Sequence, residues 1–460
     1  MRKPTLDKNF YPMMKALNDF DALVKKSGKS VKVTLVAERS GGYNYVYSYD
    51  ALQDGVNDAL NFRVAERLAK TILWVVGGFK IYVAGSKSVY NYLKEAYTMQ
   101  GLRAFDVEFM SGVYERPFEV EWLEEKDIPA QKNASMRVGG YLKGCRIGFD
   151  AGGSDRKVSA VIDGEVVYSE EVVWNPKITS DPTYHYEEIK TAMKTAASKM
   201  PRIDAIGVSS AGVYVDNKIM VASLFLKVDK SVYGDYVKNM YINIAKELSE
   251  EVGYEIPLEV ANDGDVTALA GAIDLDDHSV LGIAMGTSEA VGYINKDGGI
   301  NGWLSELAFA PVDFNEGAMQ DEWSGDFGVG CKYFSQDAVI KLAEAGGHVF
   351  ADNLTPAQKL KEVQAMMEKG ETLAQQIYED IGIYLAHTIP FYAKFYDIKH
   401  MLLLGRVMGG KGGDVVLATC KKVLAEEYPE FAALDISLPD ENSRRVGQSI
   451  AAASLPADRA

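Results

Sequence analysis

Three short segments hold the residues best able to do chemistry: Asp150-Ala151-Gly152-Gly153-Ser154, Asn262-Asp263-Gly264-Asp265 and Gly286-Thr287-Ser288. In the first, a carboxylate precedes two glycines whose missing side chains let backbone amides, with Ser154, approach phosphate oxygens. Asp150 can hold Mg²⁺ there through water. The third segment is a second turn, with hydroxyl and amide donors from Gly286, Thr287 and Ser288. Between them Asp263 opens a helix, where it can take the proton of a hydroxyl attacking a terminal phosphoryl group while Asn262 fixes a neighbouring hydroxyl. Asp265 reads as a surface residue or a partner of that site. The bland alternatives are plain hairpins for the two turns and an N-cap role for Asn262 or Asp263. A fourth segment, Leu403 to Gly410, enters a Gly-rich turn whose bare surface suits a purine ring.

Regular elements must position these residues. The chain opens with a Lys-rich helix, then Val31–Val36 and Tyr43–Tyr47 alternate around Ser40-Gly41-Gly42 as a hairpin. Apolar residues at Leu60, Val64, Leu68 and Ile72 predict a helix over Asn57–Leu73. Phe79–Ala84 reads as a short buried strand whose Gly85-Ser86 turn starts another helix. That turn could bind an anion, though it fits a purely structural role better. The polar run from Glu124 to Ser135 suits a linker. A fresh domain starts at Gly144 with strands at Arg146–Phe149, Lys157–Ile162 and Val166–Val173, the last two joined by Asp163-Gly164. Helices over Tyr184–Lys199 and Tyr236–Val252 then alternate with strands at Ala205–Val208 and Leu258–Val260. The second half repeats the theme, with a hairpin (Val280–Ala284, Ala290–Ile294), helices over Leu373–Tyr396, Asp414–Tyr428 and Val446–Leu455, and a strand at Met401–Leu404. The expected fold is α/β, two lobes of mixed sheet flanked by helices with a cleft between them.

Composition narrows the function. At 460 residues two or three packed units are expected. No apolar run approaches a membrane span, and the charged N-terminus lacks a secretory pattern, so a cytoplasmic protein is expected. A net charge of −16 opposes nucleic-acid or anionic-lipid binding, leaving backbone amides and a metal ion to hold any anionic substrate. Cys145, Cys331 and Cys420 are too scattered for a disulfide framework.

With these pieces aligned, the chain from about Gly144 onward resembles the ROK family of sugar kinases and repressors, within the actin, hexokinase and Hsp70 superfamily. The resemblance rests on Asp150, Gly152, Gly153 and Ser154 as a first phosphate motif, and on Ser210, Ala211 and Gly212 as a loop near the sugar. It continues through Asn262 with the base Asp263, Gly286 and Thr287 as a second phosphate motif, Glu306 as a sugar ligand, and Gly405, Gly409 and Gly410 as the adenosine segment. It implies a two-lobed actin-like, RNase H-like fold and ATP- and Mg²⁺-dependent transfer to the 6-hydroxyl of a hexose or N-acetylhexosamine. Domains are expected at 1–140 (an accessory α/β module), 141–275 and 276–460, and a homodimer is possible. Two departures stand out. Phe309 occupies the place of the family's sugar- and zinc-binding His, and its zinc loop has shrunk to Cys331, so no zinc is expected. The alternative is a sugar-sensing protein without catalysis. The first 50 residues hold 9 Lys and Arg against 5 Asp and Glu, but the strands from Val31 interrupt any pair of DNA-reading helices.

Overall fold

The computed structural model describes residues 1–133, 138–439 and 441–458, with the backbone alone for 441–446. The chain forms two compact units. Unit 1 comprises Met1–Ala134, Ile283–Val291 and Gly302–Leu438, and unit 2 comprises Ser135–Gly282, Gly292–Asn301 and Pro439–Ala460. This division differs from the one expected at 1–140, 141–275 and 276–460, because the N-terminal section shares a unit with most of the second half. The Ser135 end of the expected linker lies outside the described residues.

Unit 1 opens with α1 (Met13–Ser27), whose Met13, Ala16, Phe20 and Val24 form its buried face and which ends at left-handed Gly28. Strands β1 (Ser30–Glu38) and β2 (Asn44–Leu52) pair antiparallel along their whole length. Helix α2 (Asp58–Val76) is capped by Asn57 and buried almost all round. Then come β3 (Lys80–Ala84), α3 (Lys87–Ala96), α4 (Ala104–Tyr114) and β4 (Glu119–Trp122), giving the sheet order β2-β1-β3-β4. The sequence reading did not anticipate α4 or β4. At the Gly85-Ser86 turn, Asp54 accepts from Ser86 Oγ (2.5 Å) and Ser88 N (3.2 Å), so a carboxylate of the chain itself fills the place of an anion.

Two features tie this section to the rest of unit 1. Arg67, Lys70 and Arg103 face Glu66, Asp106 and Asp326 in a buried cluster, with Arg67–Asp326 at 3.1 Å, Lys70–Asp106 at 2.7 Å and Arg103–Asp326 at 2.9 Å. Three cations match three anions, which is how so many charges survive burial. Farther along, Asp380 accepts from Thr5 N and Leu6 N, both at 2.7 Å, pinning the N-terminal segment to a long buried helix. Section 1–134 is therefore built into unit 1 rather than appended to it.

Unit 2 begins with the meander β5 (Cys145–Ala151), β6 (Asp155–Ile162) and β7 (Glu165–Val173), the last two joined by Asp163 and Gly164, both at positive φ. It continues through α5 (Pro182–Ala197), β8 (Ala205–Ser210), the ribbon β9 (Val213–Val215) and β10 (Lys218–Val221), α6 (Lys230–Tyr236), α7 (Met240–Val252), β11 (Leu258–Asn262) and α8 (Asp263–Leu275). The helix expected over Tyr236–Val252 thus begins at Met240, and Tyr236 ends the separate helix α6. Ile219 N takes the Lys238 carbonyl at 2.9 Å, drawing that peptide out of a helical ladder. The sheet order is β11-β8-β5-β6-β7, antiparallel within the meander and parallel across β5, β8 and β11. This strand order and direction are those expected of an RNase H-like sheet. Gly148 and Gly207, register partners on β5 and β8, leave a bare trough filled by the helix Glu441–Ala453. A Cβ on Gly207 would lie 1.7 Å from Ala452 O.

The remainder of unit 1 contains most of a second sheet, ordered β13-β12-β14-β15, whose outer hairpin continues into unit 2. Its strands are β12 (Val280–Met285), β13 (Glu289–Ile294), β14 (His400–Leu404) and β15 (Asp435–Ser437). Helices α9 (Gln336–Ala345), α10 (Pro356–Glu368), α11 (Thr372–Tyr392) and α12 (Gly410–Glu427) complete it. Helix α11 is buried on nearly every side, and its His387 is satisfied by Tyr428 OH and Arg2 O, as a core histidine should be. The mixed α/β expectation holds for both units. No helix among the described residues is long and apolar enough to cross a membrane.

Candidate functional site

In unit 2 the parallel strands β5, β8 and β11 bring their carboxyl ends together, the place where open α/β sheets bind ligands. Asp150 on β5 lies opposite Ser209 on β8 and accepts its hydroxyl at 2.9 Å. Ser210 lies opposite Asn262, the last residue of β11, and Asp263 follows as the first residue of α8. Asp263 is half-buried, and its Oδ1 accepts from Gly264 N at 3.0 Å. Burial, then the charge of Asp150, push its pKa up to about 6 against the pull of backbone N–H groups and Lys177. Asp150 is also raised, by burial first, with Ser209 and Lys157 opposing. Two carboxylates held in one region without full compensation mark a site awaiting positive charge or protons.

Several expectations change on contact with this geometry. Ser210, expected at the sugar, is fully buried, and its Oγ accepts from Tyr214 OH (2.6 Å) and Tyr241 OH (3.3 Å). Its hydroxyl orients two phenols instead of meeting solvent. Asn262 is the N-cap of α8: Oδ1 accepts from Gly264 N and Nδ2 donates to Gly212 O, both at 2.7 Å. The capping alternative therefore describes Asn262, and it fastens the Gly212 loop to the start of α8. Gly212 has φ +144°, and a Cβ there would lie 2.3 Å from Val221 O. Asp265, read as a surface residue or a partner of the site, is buried, with Tyr293 N donating to Oδ1 at 3.0 Å, so the surface alternative falls. Burial raises its pKa to about 7. Gly292 explains how the strand comes so close: a Cβ there would meet Gly264 O at 2.0 Å.

The Gly152-Gly153-Ser154 turn is fastened by Trp174, whose Nε1 donates to Gly152 O at 2.8 Å and whose N donates to Ser154 O at 3.1 Å. Over it lies Lys177, a residue the sequence reading missed. A Cβ on Gly153 would be 2.7 Å from Lys177 Nζ. No local spacing announces this, because Lys177 returns from the far end of β7 in the short helical turn Pro176–Ile178.

Unit 1 holds the other expected residues. Gly286-Thr287-Ser288 joins β12 to β13, with Gly286 N bonded to Ser288 O at 3.0 Å and the Thr287 and Ser288 side chains exposed. Arg406 Nη2 donates to Thr287 Oγ1 at 2.5 Å, so the second turn and the Gly405–Gly410 segment meet. Gly405 has φ +92°, and a Cβ on it would lie 2.4 Å from Met285 O, where β14 and β12 end side by side. Gly409 N closes the turn on Arg406 O at 3.3 Å, and Gly410 begins α12, four residues before the expected start at Asp414. Glu306 N donates to Trp74 O at 2.9 Å. The Glu306 charge acts on Glu289, a carboxyl raised far above its usual range by burial first and Glu306 second. Phe309, standing where the family has His, is buried against Trp74 (4.5 Å) and Trp323 (5.2 Å). Cys331 is buried too, its thiol 3.6 Å from Asp321 Oδ1.

Among the described residues no three His, Cys, Asp or Glu side chains gather as metal ligands. Mg²⁺ seldom needs such a cage, since one carboxylate with waters and substrate phosphates suffices. Asp150 fits that role, with one oxygen held by Ser209 and its charge otherwise poorly matched.

No family model matches the chain, and no curated protein matches it. Many solved structures of similar fold are ROK family proteins. A ROK hexokinase from Thermus thermophilus is 16% identical, with 67% of this chain and 97% of that chain covered and a TM-score of 0.49. A ROK family transcriptional regulator, a homolog of the E. coli MLC protein, is also 16% identical over 67% of this chain and 78% of that one, with a TM-score of 0.49. A ROK family glucokinase from Streptomyces griseus in complex with glucose and AMPPNP is 17% identical over 66% of this chain and 98% of that one, with a TM-score of 0.41.

Proposed function

We propose that the chain is an ATP-dependent sugar kinase that transfers the γ-phosphoryl group to a hydroxyl, the 6-hydroxyl, of a hexose or N-acetylhexosamine. One observation carries this reading: Asp263 is held at the start of α8, half-buried, its pKa raised by burial and by the neighbouring charge of Asp150. A base with a pKa near 6 is ionised at neutral pH yet still accepts a proton as the acceptor oxygen attacks phosphorus. The Gly212 loop, fastened by Asn262, is the acceptor side in unit 2. The Gly152–Ser154 turn offers amides to phosphate oxygens. In unit 1, Gly286–Ser288 is the second phosphate turn, Gly405–Gly410 the purine segment and Glu306 a sugar ligand. Mg²⁺ held through water by Asp150 would neutralise phosphate oxygens.

The second reading, a sugar sensor without catalysis, is favoured by Phe309, because a ring in an aromatic cluster cannot supply the hydrogen bond of the imidazole it replaces. An ATP-consumption screen across hexoses, hexosamines and their N-acetyl forms, run beside Asp263→Asn, separates the two. Turnover with one of these sugars that disappears in the variant while ATP still binds supports the kinase. Sugar binding without any turnover supports the sensor, and unchanged turnover in the variant removes Asp263 from the mechanism.

A further inference from the structure

Lys177 is fixed at its backbone and free at its tip. Pro176 O lies 3.0 Å from Nε2 of the fully buried His185, and Thr179 Oγ1 donates to Asn175 O at 2.6 Å, so the residues on both sides of Lys177 are anchored. Trp174, three residues earlier, is bonded twice to the Gly152–Ser154 turn. The lysine side chain then runs out across Gly153, where a Cβ would meet both Cε and Nζ at 2.7 Å. Its ammonium forms no ion pair among the described residues, in a chain with 65 acidic and 49 basic side chains. A cation left unmatched over two bare glycines, with the carboxylates of Asp150 and Asp263 in the same region, is arranged for an anion that comes from outside.

We infer that Lys177 is a binding residue for the terminal phosphoryl group of a nucleoside triphosphate, gripping it from above the Gly152-Gly153 turn. The inference rests on the kinase reading and extends it, because it names the cation that the strongly acidic chain supplies at its own phosphate turn. In the reaction the acceptor oxygen forms its bond to the γ-phosphorus as the bridging P–O bond breaks, and that electron pair leaves with ADP. The acceptor proton passes to Asp263. Lys177 balances charge on the equatorial oxygens.

The test is calorimetric titration of the full chain with MgATP and with MgADP, comparing Lys177→Met and Lys177→Arg with the unaltered protein. A charge-assisted contact to the terminal phosphate alone is worth about ten- to a hundredfold in affinity. Lys177→Met is therefore expected to lose that much for ATP, keep ADP within about twofold and so prove itself folded, while Lys177→Arg retains most of the ATP affinity. An ATP preference unchanged in Lys177→Met, or equal losses for ATP and ADP, overturns the role of Lys177 and leaves the kinase reading standing. Failure of the unaltered chain to bind ATP overturns both.

Discussion

Asp263 in unit 2 and Asp326 in unit 1 are the same residue type treated in opposite ways. Asp263 is pushed up to about 6 by burial and by the like charge of Asp150. Burial alone would raise Asp326 as well, yet Arg67, Lys70 and Arg103 hold it far below the usual carboxylate range. Desolvation is common to both, so the difference lies in the company each keeps. A carboxylate ringed by guanidinium and ammonium groups is charge-matched within the fold, whereas one beside another carboxylate at a helix start is not. Glu289 is raised as well, by burial first, but it packs against Gly330 in the interior.

The comparison is sharpest under substitution. Asp263→Asn is expected to lower phosphoryl transfer by about 10²- to 10⁴-fold while leaving the melting temperature unchanged or higher. Steady-state rates alongside a thermal melt check both halves. Asp326→Asn is expected to do the reverse in kind, costing about 3–5 kcal/mol of stability by leaving three cations facing two carboxylates, as read by denaturant unfolding. If Asp326→Asn proved neutral, the cluster would not be what binds the N-terminal section into unit 1.

Opposite pKa directions also require opposite pH slopes. Asp265, raised to about 7, holds a proton in the folded state that the unfolded chain releases near pH 4, so its contribution to stability falls as pH rises from about 4 to about 7. Asp265→Asn should flatten that slope, removing a variation of about 4 kcal/mol in unfolding free energy. Asp326 runs the other way, since its stabilisation is present at neutral pH and drains as acid protonates it. The smallest effect is on rate: activity is expected to rise with pH through about 6 and level off above, as Asp263 ionises. A pH–rate profile flat from 5 to 8 would contradict its role as base.

Much of this was legible in the chain. Alternation around Asp163-Gly164 and apolar spacing from Leu60 to Ile72 are local signals, and the elements they predict are present. The Asp150 turn and the Asn262-Asp263 pair were visible because strand ends and helix starts leave short-range marks. Long-range chemistry left none. Arg67 and Asp326 are 259 residues apart, and nothing near either one announces the other. The burial of Ser210 depends on Tyr214 and Tyr241 arriving from the ribbon and from α7, and Lys177 reaches Gly153 only because β7 ends where it does. The break before α7 was hidden for the same reason, since it hangs on one hydrogen bond from β10.

The glycine trough on β5 and β8 has a consequence for biosynthesis. The groove over Gly148 and Gly207 is closed by a helix that includes Ser449, Ala452 and Ala453, encoded long after the strands it covers. While the ribosome is still making the intervening sequence, that sheet face stays uncovered and open to chaperones or to misassociation with neighbouring nascent chains. Chains that end before Glu441 should therefore have unit 2 retained by chaperones, even with every strand of its sheet already translated.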